Sequence, residues 1–276
     1  MEDRQDDEDI AASKPIVKLF WCYADRDKKL RDHLERHLSA LKHSGCILMW
    51  HDREILPGTL WEAEIETRLN SADLVIPLVS AHFLSSTYCW GVEMHRALER
   101  WKQGELAIVP ILASSVDYKG TPISDFQVLP TNGRAITDWP DHEKAYTDAA
   151  TGIRCAVDVL LAQKWKQRGD AWKRLSQYDL ALTAYEEALQ RDPQNPILYN
   201  DKGDALFSLK QFENAITVYD KAIELKPDFG LAYQGKGRAL EGFAPLAYEK
   251  YQRLAEQAYQ KAHSLENAKR RKKGGL

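Results

Sequence analysis

A repeat with a period of 34 residues occupies the second half of the chain and constrains its fold more than any other feature. Gly169, Gly203 and Gly237 follow one another at this interval. The same step separates Trp165, Tyr199 and Tyr233; Ala181 and Ala215; Tyr185 and Tyr219; Ala188 and Ala222; and Pro193 and Pro227. Such a period indicates one supersecondary unit stacked on copies of itself. The small residues let paired helices approach closely, and the prolines end the second helix of each unit.

This period and pattern resemble tetratricopeptide repeats, in which each unit is a pair of antiparallel helices. We therefore predict an all-α region of about three repeats over residues 164–266, followed by a basic tail over 267–276. The third repeat is irregular, because six residues near Phe243 are inserted and Tyr259 follows Tyr219 by 40 residues. The resemblance implies a surface that binds peptides or packs against copies of the chain.

The preceding region, residues 15–163, alternates β-rich runs with amphipathic helical segments. Strands are predicted over Val17–Cys22, Cys46–Trp50, Leu74–Val79 and Ala107–Leu112, with a weaker one at Arg134–Ile136. Strands that alternate with helices predict a parallel sheet covered on both faces. Five such strands suit a flavodoxin-like α/β fold, in which ligands bind beyond the carboxyl ends of the strands.

Composition sets broad limits on what the chain does. The 276 residues, 44% of them hydrophobic, suffice for the cores of two domains. Residues 1–14 are acidic and are predicted to be a disordered tail rather than a signal peptide. The net charge of −3 makes nucleic-acid binding unlikely as a function class, and no apolar run approaches the roughly 20 residues of a membrane span. Four cysteines without a CxxC spacing indicate reduced thiols and a cytoplasmic location.

Several short motifs in the first half occur in a characteristic order. They are Phe20 to Asp25, similar to F-I-S-Y-S/A; Trp50 to Trp61, similar to W-x-D…I-x-P-G…W; Ser80 after an apolar strand; Ser86 to Glu93; and Val128 to Pro130. Together they resemble a TIR domain of bacterial type, over residues 16–162. Trp21 and Cys22 stand where Ile and Ser are common in that family.

The TIR resemblance implies an NAD⁺ nucleosidase, a hydrolase that breaks the nicotinamide–ribose bond. Glu93 stands at the catalytic position, where a carboxylate stabilises an oxocarbenium-like ribose as nicotinamide leaves. The product would be linear or cyclic ADP-ribose, with NAD⁺ as substrate and neither a metal nor another cofactor required. The alternative for Glu93 is a surface helix residue paired with Arg96 at i+3.

Other residues are expected to contact the substrate. The resemblance suggests this for Tyr23, Asp52, Trp61, Ser80 and Trp90. Trp61 either stacks on a ring of the substrate or belongs to the core, since Ile65 and Leu69 share its helical face. Asp25, Asp27 and Asp52 either bind substrate hydroxyls or cap helices and turns. His33 and His37 lie four apart, but no third metal ligand is evident, so a solvated helix face is expected for them.

The segment between Trp50 and Trp61 resembles the BB loop, through which TIR enzymes assemble. The resemblance implies a homo-oligomer in which the loop of one copy completes the site of the next, with contacts from Ile55, Leu56, Pro57, Gly58 and Leu60. The expected role is in defence or signalling, with the repeats sensing a protein or peptide trigger. The main alternative is a non-catalytic TIR adaptor that acts by protein contacts, with the repeats as a peptide receptor.

Overall fold

The computed structural model of the chain describes residues 2–12, 14–51, 61–243 and 248–273. The chain forms two compact units. One unit is Pro15–Leu161, and the other combines Met1–Lys14 with Ala162–Leu276. The first unit is of α/β type, and the second is helical. Among the helices that the structure describes, none combines the length and the apolarity needed to cross a membrane.

The helices and strands follow the alternation that the sequence predicts. In chain order they are α1 (Glu2–Ala12), β1 (Val17–Cys22), α2 (Lys28–His37), α3 (Ser39–His43), β2 (Ile47–Trp50), α4 (Trp61–Ser71), β3 (Leu74–Val79), α5 (Ala81–Ser85), α6 (His95–Lys102), β4 (Ala107–Ile108), β5 (Ile111–Leu112), α7 (His142–Arg174), α8 (Tyr178–Arg191), α9 (Pro196–Ser208), α10 (Phe212–Leu225), α11 (Gly230–Phe243) and α12 (Tyr248–Lys273). A 3₁₀ turn at Asp25–Asp27 precedes α2, and a π-helical turn at Cys89–Met94 leads into α6.

The predicted five-stranded parallel sheet is confirmed. Its order is β2-β1-β3-β4, and β5 pairs with the second half of β3. Strands β1 and β3 are central, with Leu19 opposite Leu74 and Cys22 opposite Pro77. All six residues of β3 are buried, as expected for a parallel strand covered on both faces. The carboxyl ends of β1 and β3 therefore meet at one edge of the sheet, where the chain turns toward α2 and α5.

Two predicted strands differ from those observed. The run Ala107–Leu112 is divided into β4 and β5, because Pro110 lies between them and has no N–H for the ladder. The prediction of a strand at Arg134–Ile136 is wrong. Its two apolar residues are buried at the start of a 3₁₀ turn, Ile136–Asp138, rather than in a strand. The place beside β5 is taken by Leu129, whose N–H donates to the Pro110 carbonyl at 2.9 Å.

Close contacts between a glycine and a tyrosine define the predicted repeats. A Cβ atom on Gly169 would lie 2.6 Å from the ring of Tyr185, and one on Gly203 would lie 2.6 Å from the ring of Tyr219. Only glycine leaves room for the ring at these places. The Tyr219 hydroxyl also donates a hydrogen bond to Asp204 Oδ1 at 2.7 Å. The 34-residue period therefore repeats one helix-pair contact.

The third repeat keeps this contact despite its insertion. A Cβ atom on Gly237 would lie 2.7 Å from the ring of Tyr259, so the tyrosine takes the place that Tyr219 has in the second repeat. Its hydroxyl donates to Glu241 Oε2 at 2.9 Å. The inserted residues fall at the junction of α11 and α12, of which 244–247 lie outside the described residues. The contact between the two helices of the pair is preserved despite the insertion.

The two predicted tails are largely helical. Within the acidic segment 1–14, which the sequence predicts to be disordered, Glu2–Ala12 forms α1, and this helix belongs to the helical unit. The Asp7 carboxylate accepts a hydrogen bond from Nε of Arg174 at 2.8 Å and another from its Nη2. Arg168 Nε donates to the Ala11 carbonyl at 2.7 Å. Composition alone missed this helix, because basic residues of α7 bind it. At the other end α12 continues to Lys273, into the predicted basic tail.

Candidate active site

Glu93 lies in the π-helical turn Cys89–Met94 rather than in a regular α-helix. The Tyr88 carbonyl accepts hydrogen bonds from Val92 N at 2.9 Å and from Glu93 N at 3.2 Å. The hydrogen bond from Glu93 N spans five residues, so this turn holds one residue more than a turn of an α-helix. Such π turns are frequent at functional sites. It leaves Gly91 and Val92 exposed and turns Glu93 inward, where only 5% of the residue is exposed.

The Glu93 carboxylate contacts the last residue of β1. The thiol of Cys22, which has no exposed surface, donates to Glu93 Oε2 across 2.8 Å. Two further sulfur contacts join the same elements. The Cys22 thiol lies 3.6 Å from the Cys89 carbonyl, and the Cys89 thiol donates to the Tyr23 carbonyl at 3.4 Å. The π turn is therefore tied to the carboxyl end of β1 through both of these thiols.

The interpretation of Glu93 as a surface residue paired with Arg96 is wrong. Glu93 is buried, and the Arg96 guanidinium has other partners. Its Nε donates to Asn70 Oδ1 at 3.0 Å, and its Nη1 donates to Glu99 Oε2 at 3.1 Å. The extra residue of the π turn explains why the predicted pair does not form, because it moves Glu93 off the helix face that an i, i+3 pair would share.

A cleft of about 500 Å³ adjoins Glu93. Its lining comes from α4, the π-helical turn and α6: Ile65, Glu66, Leu69, Tyr88, Gly91, Val92, Glu93, His95, Arg96 and Glu99. The volume lies within the roughly 300–1,000 Å³ of small-molecule sites. The lining combines the apolar or aromatic side chains of Ile65, Leu69, Tyr88 and Val92 with the polar or charged side chains of Glu66, His95, Arg96 and Glu99. The cleft can thus receive a ligand that has both a flat ring and polar groups, with a buried carboxylate beside it.

Ser80 and Asp27 form a second buried polar contact at the carboxyl ends of the strands. The Ser80 hydroxyl donates to Asp27 Oδ2 at 2.5 Å and accepts from Phe83 N at 3.1 Å, which caps α5. Burial raises the pKa of Asp27, while the hydrogen bond from Ser80 and the charge of His82 act in the opposite direction. Ser80 has no exposed surface, so its geometry assigns it a capping role. Contact between Ser80 and a substrate stays a prediction.

Tyr23 and Trp90 are both packed into the protein. The guanidinium of Arg31 lies over the Tyr23 ring at 5.1 Å, a cation–π distance. Trp90 is half-buried and meets Phe83 edge to face, with ring centroids 6.0 Å apart. Tyr23 follows β1 directly, and Trp90 lies in the same π turn as Glu93. The structure thus brings both residues to the edge of the sheet where Glu93 lies, and their contact with a substrate stays a prediction.

Several predicted residues fall outside the described part of the chain. These are Asp52 and the predicted assembly residues Ile55, Leu56, Pro57, Gly58 and Leu60. Trp61 begins α4, which places its backbone at the end of that segment, and its side chain is likewise outside the described atoms. The roles assigned to these residues stay predictions.

Comparison with known families assigns both units. Residues 19–151 match the family model described as the TIR domain, and residues 167–228 match the one described as the tetratricopeptide repeat. The chain is a TIR domain followed by tetratricopeptide repeats. The match to the TIR domain includes the π-helical turn and the whole of the cleft lining.

Similar proteins were found for parts of the chain. The uncharacterized protein y4lF of Sinorhizobium fredii (strain NBRC 101917 / NGR234) is 39% identical over 142 residues, which is 51% of this chain and 44% of that protein. The chain thus spans less than half of the curated relative that it matches. The first tetratricopeptide domain of human RPAP3 is 27% identical, with 38% of this chain and 79% of that chain covered and a TM-score of 0.35. The tetratricopeptide domain of Arabidopsis OM64 is 23% identical, with 40% and 86% covered and a TM-score of 0.37.

One contact of Glu93 was not predicted from the sequence. The sequence marks Cys22 only as a departure from the common serine, whereas the structure makes it a direct partner of Glu93. The available signal was its position: it is the last residue of a central strand, and Glu93 follows the neighbouring strand along the sheet. The separation of 71 positions in the sequence, and the π insertion that turns Glu93 inward, hid the contact.

The two histidines of α2 pack on an aromatic ring. The rings of His33 and His37 stack on that of buried Tyr146, with centroids 5.4 and 5.6 Å away. The Nε2 atom of His37 lies 3.1 Å from Glu143 Oε2. Both histidine side chains are half-buried, so the helix face that the sequence predicts to be solvated is partly covered by Tyr146.

Proposed function

We propose that the TIR domain cleaves the nicotinamide–ribose bond of NAD⁺ and that Glu93 is the catalytic carboxylate. The observation that carries this proposal is the position of Glu93, a buried acid at the carboxyl ends of the two central strands and in the wall of a 500 Å³ cleft. In open α/β sheets, ligands bind at this edge. Acids in such places commonly act on substrates.

The chemistry needs little from the protein beyond a fixed negative charge. The C–N glycosidic bond breaks, and its electron pair leaves with nicotinamide, which becomes neutral. The ribose becomes an oxocarbenium-like cation, which the Glu93 carboxylate stabilises electrostatically. Water then adds and releases a proton to give ADP-ribose, or a nucleophilic nitrogen of the same molecule attacks to give a cyclic product. No metal or other cofactor takes part in this scheme.

The cleft offers complementary surfaces for the rest of the substrate. Ile65, Leu69 and Tyr88 can lie along a flat ring, and the polar residues of α6 can face hydroxyl or phosphate groups. We assign Trp61 as the stacking residue, because it begins the helix that supplies one wall. Tyr23, Asp52, Ser80 and Trp90 complete the proposed contacts.

A scaffold role is the second candidate, and one observation favours it. Glu93 is only 5% exposed and already accepts the Cys22 thiol, as a purely structural carboxylate would. In that case the TIR domain acts as an adaptor and the repeats bind a peptide. Ile197 and Leu231 are exposed, stand one repeat apart and offer apolar contacts for a partner.

In the catalytic reading, the protein works as an oligomer in defence or signalling. Contacts through the loop before α4 and through the repeats would join the copies, and a protein or peptide trigger would act on the repeats. All four cysteines are free thiols, which suits a cytoplasmic setting.

The test is incubation with NAD⁺ at several protein concentrations, with products separated by chromatography. We expect nicotinamide release by the unchanged protein and a loss of about 10²–10³-fold in Glu93→Gln, because the swap keeps the size and removes the charge. Asp125→Asn is the control, since Asp125 is exposed and lies outside the cleft lining. Turnover by Glu93→Gln within a few-fold of the unchanged protein would support the scaffold role instead.

A further inference from the structure

The contact between Cys22 and Glu93 joins two buried side chains from different elements. Sulfur and Oε2 are 2.8 Å apart, so a hydrogen lies between them. A thiol is a much weaker acid than a carboxylic acid, so this hydrogen belongs to sulfur and the thiol donates. A buried carboxylate is costly unless it accepts hydrogen bonds. The thiol therefore favours the ionised form of Glu93.

The Cys22 side chain is fixed in place by its strand and by contacts of its sulfur. Cys22 ends a central strand and is in register with Pro77 of β3. Its sulfur also lies against the Cys89 carbonyl, and the Cys89 thiol reaches back to the carbonyl of the residue after Cys22. A donor on the sheet thus fixes the orientation of an acid on the π turn. Groups aimed at developing charge act best when their orientation is fixed before the reaction.

We propose that Cys22 is a positioning residue for Glu93, a role that rests on the proposed function. Its thiol fixes the rotation of the carboxylate and keeps it charged, and because a thiol is a weak donor it leaves most of that charge available. An arginine or lysine at the same place would neutralise the charge that the oxocarbenium needs. A serine hydroxyl at position 22 is a stronger hydrogen-bond donor than the thiol, but its bond to Cβ is shorter. Serine can therefore replace the thiol in part as the donor to Glu93.

Kinetics of Cys22→Ala and Cys22→Ser test this role. We expect Cys22→Ala to lower kcat about 10-fold with KM within about two-fold, because one hydrogen bond to the carboxylate is lost. Cys22→Ser should recover to within about three-fold of the unchanged protein. The acid limb of the kcat/KM profile of Cys22→Ala should move to higher pH, because the ionised carboxylate has lost a donor. Cys155→Ala is the matched control, since that thiol is exposed on α7.

An infrared measurement tests the contact without relying on turnover. The S–H stretching band of Cys22 is isolated by subtracting the spectrum of Cys22→Ser. It should lie at lower frequency than the band of exposed Cys155, obtained in the same way, and should shift upward in Glu93→Gln, where the acceptor is neutral. Circular dichroism and melting curves identify any variant that fails to fold. If Cys22→Ala does not fold, the kinetics of Cys22→Ser and the frequency of the S–H band test the positioning role instead.

The outcomes separate the two proposals. An unchanged protein that releases no nicotinamide overturns the proposed function and the role of Cys22 with it. An active protein whose Cys22→Ala variant keeps its kcat and pH profile overturns only the role of Cys22. The third outcome is that Cys22→Ala lowers kcat, Cys22→Ser does not restore it, and the S–H band of Cys22 lies at the same frequency as that of Cys155. This outcome would mean that Cys22 acts only in packing, and it would overturn the positioning role.

Discussion

Ser80 donates a hydrogen bond to Asp27 Oδ2 at 2.5 Å, and both side chains are buried. The same hydroxyl accepts the Phe83 N–H, so it links the turn before α2 to the start of α5. Burial raises the pKa of Asp27 above its ordinary value of 3.8, and the Ser80 hydrogen bond offsets part of that rise. This polar contact lies at the same sheet edge as Glu93, and the raised pKa predicts that the stability of the TIR domain depends on pH.

The first prediction is that Asp27→Asn changes how stability depends on pH. With a raised pKa the folded state holds the Asp27 proton more tightly than the unfolded state does. The stability from this group is therefore fully present below the unfolded pKa and is lost as pH rises through the folded pKa. The asparagine side chain of the variant does not titrate and still accepts from Ser80. The free energy of unfolding of the unchanged protein, minus that of the variant, should therefore fall as the pH rises from below the unfolded pKa of about 3.9 through the raised pKa of the folded state.

Urea unfolding at several pH values measures this difference. Asp125→Asn provides the control, because its exposed side chain should give no comparable trend. A difference that rises with pH would show that the Ser80 hydrogen bond outweighs burial and would contradict the prediction.

The second prediction concerns the glycine contact of the repeats. Gly203→Ala should lower the stability of the helical unit by about 1–3 kcal/mol, because its Cβ would lie 2.6 Å from the ring of Tyr219 and force the helix pair apart. Gly230→Ala is the matched control. A Cβ there meets its nearest neighbour, the Ala262 carbonyl oxygen, at 3.6 Å. Thermal unfolding followed by circular dichroism compares the two, and equal melting temperatures would contradict the prediction.

These repeats show which parts of the fold the sequence can predict. The Gly203–Tyr219 contact recurs at a fixed period, so the first two helix pairs are predicted from the sequence. The third repeat is predicted to be irregular because six residues are inserted, yet the structure keeps its contact between Gly237 and Tyr259. The strands β1 and β3 are predicted within their observed bounds, because continuous apolar runs are typical of a buried parallel strand. Local patterns of this kind are readable without knowledge of tertiary contacts.

The features that sequence reasoning missed depend on contacts between distant residues. Helix α1 is acidic and polar, and its contacts with Arg168 and Arg174 come from far along the chain. Ala135 and Ile136 look like a strand, but Leu129 already takes the place beside β5. For the candidate site, the importance of Glu93 is predicted from its motif, whereas its burial depends on a π insertion that has no signature in residue spacing.

The third prediction follows from the docking of α1. Arg174→Ala should increase amide hydrogen exchange in residues 2–12, because the Asp7 carboxylate loses both guanidinium contacts. Arg253→Ala removes an exposed arginine of α12 and is the control. Hydrogen exchange followed by mass spectrometry resolves this segment from the rest of the chain. Exchange in 2–12 that is equal in both variants would mean that other contacts hold the helix.

The fourth prediction separates two roles for Trp61. If the side chain stacks on a ring of the substrate, Trp61→Ala lowers the rate of nicotinamide release about tenfold and leaves the melting temperature nearly unchanged. If it belongs to the core, the variant loses roughly 3–5 kcal/mol of stability. We expect the first result. A strongly lowered melting temperature, with normal specific activity in the folded fraction, would reject stacking.

The last prediction is that nicotinamide release depends on assembly. Ile197 and Leu231 are 47% and 61% exposed and occupy equivalent positions in successive repeats. We assign these two exposed apolar side chains to one contact between copies of the chain. A second weak contact through the loop before α4 would act in the same chain and raise the effective concentration. Specific activity should therefore rise with protein concentration. Gly58→Pro should reduce it, because proline fixes φ at a position where the sequence predicts a turn glycine.

Leu231→Asp tests the repeat contact directly. The charge should shift assembly, followed by light scattering, to higher protein concentration, and the activity curve should shift with it while the maximal rate is kept. Val159→Asp is the matched control, because it places the same charge at a similarly exposed apolar site on α7. If both variants shift the curve equally, a general charge effect explains the result. Specific activity that stays constant from nanomolar to high micromolar protein, with only monomer in light scattering, would contradict the dependence on assembly.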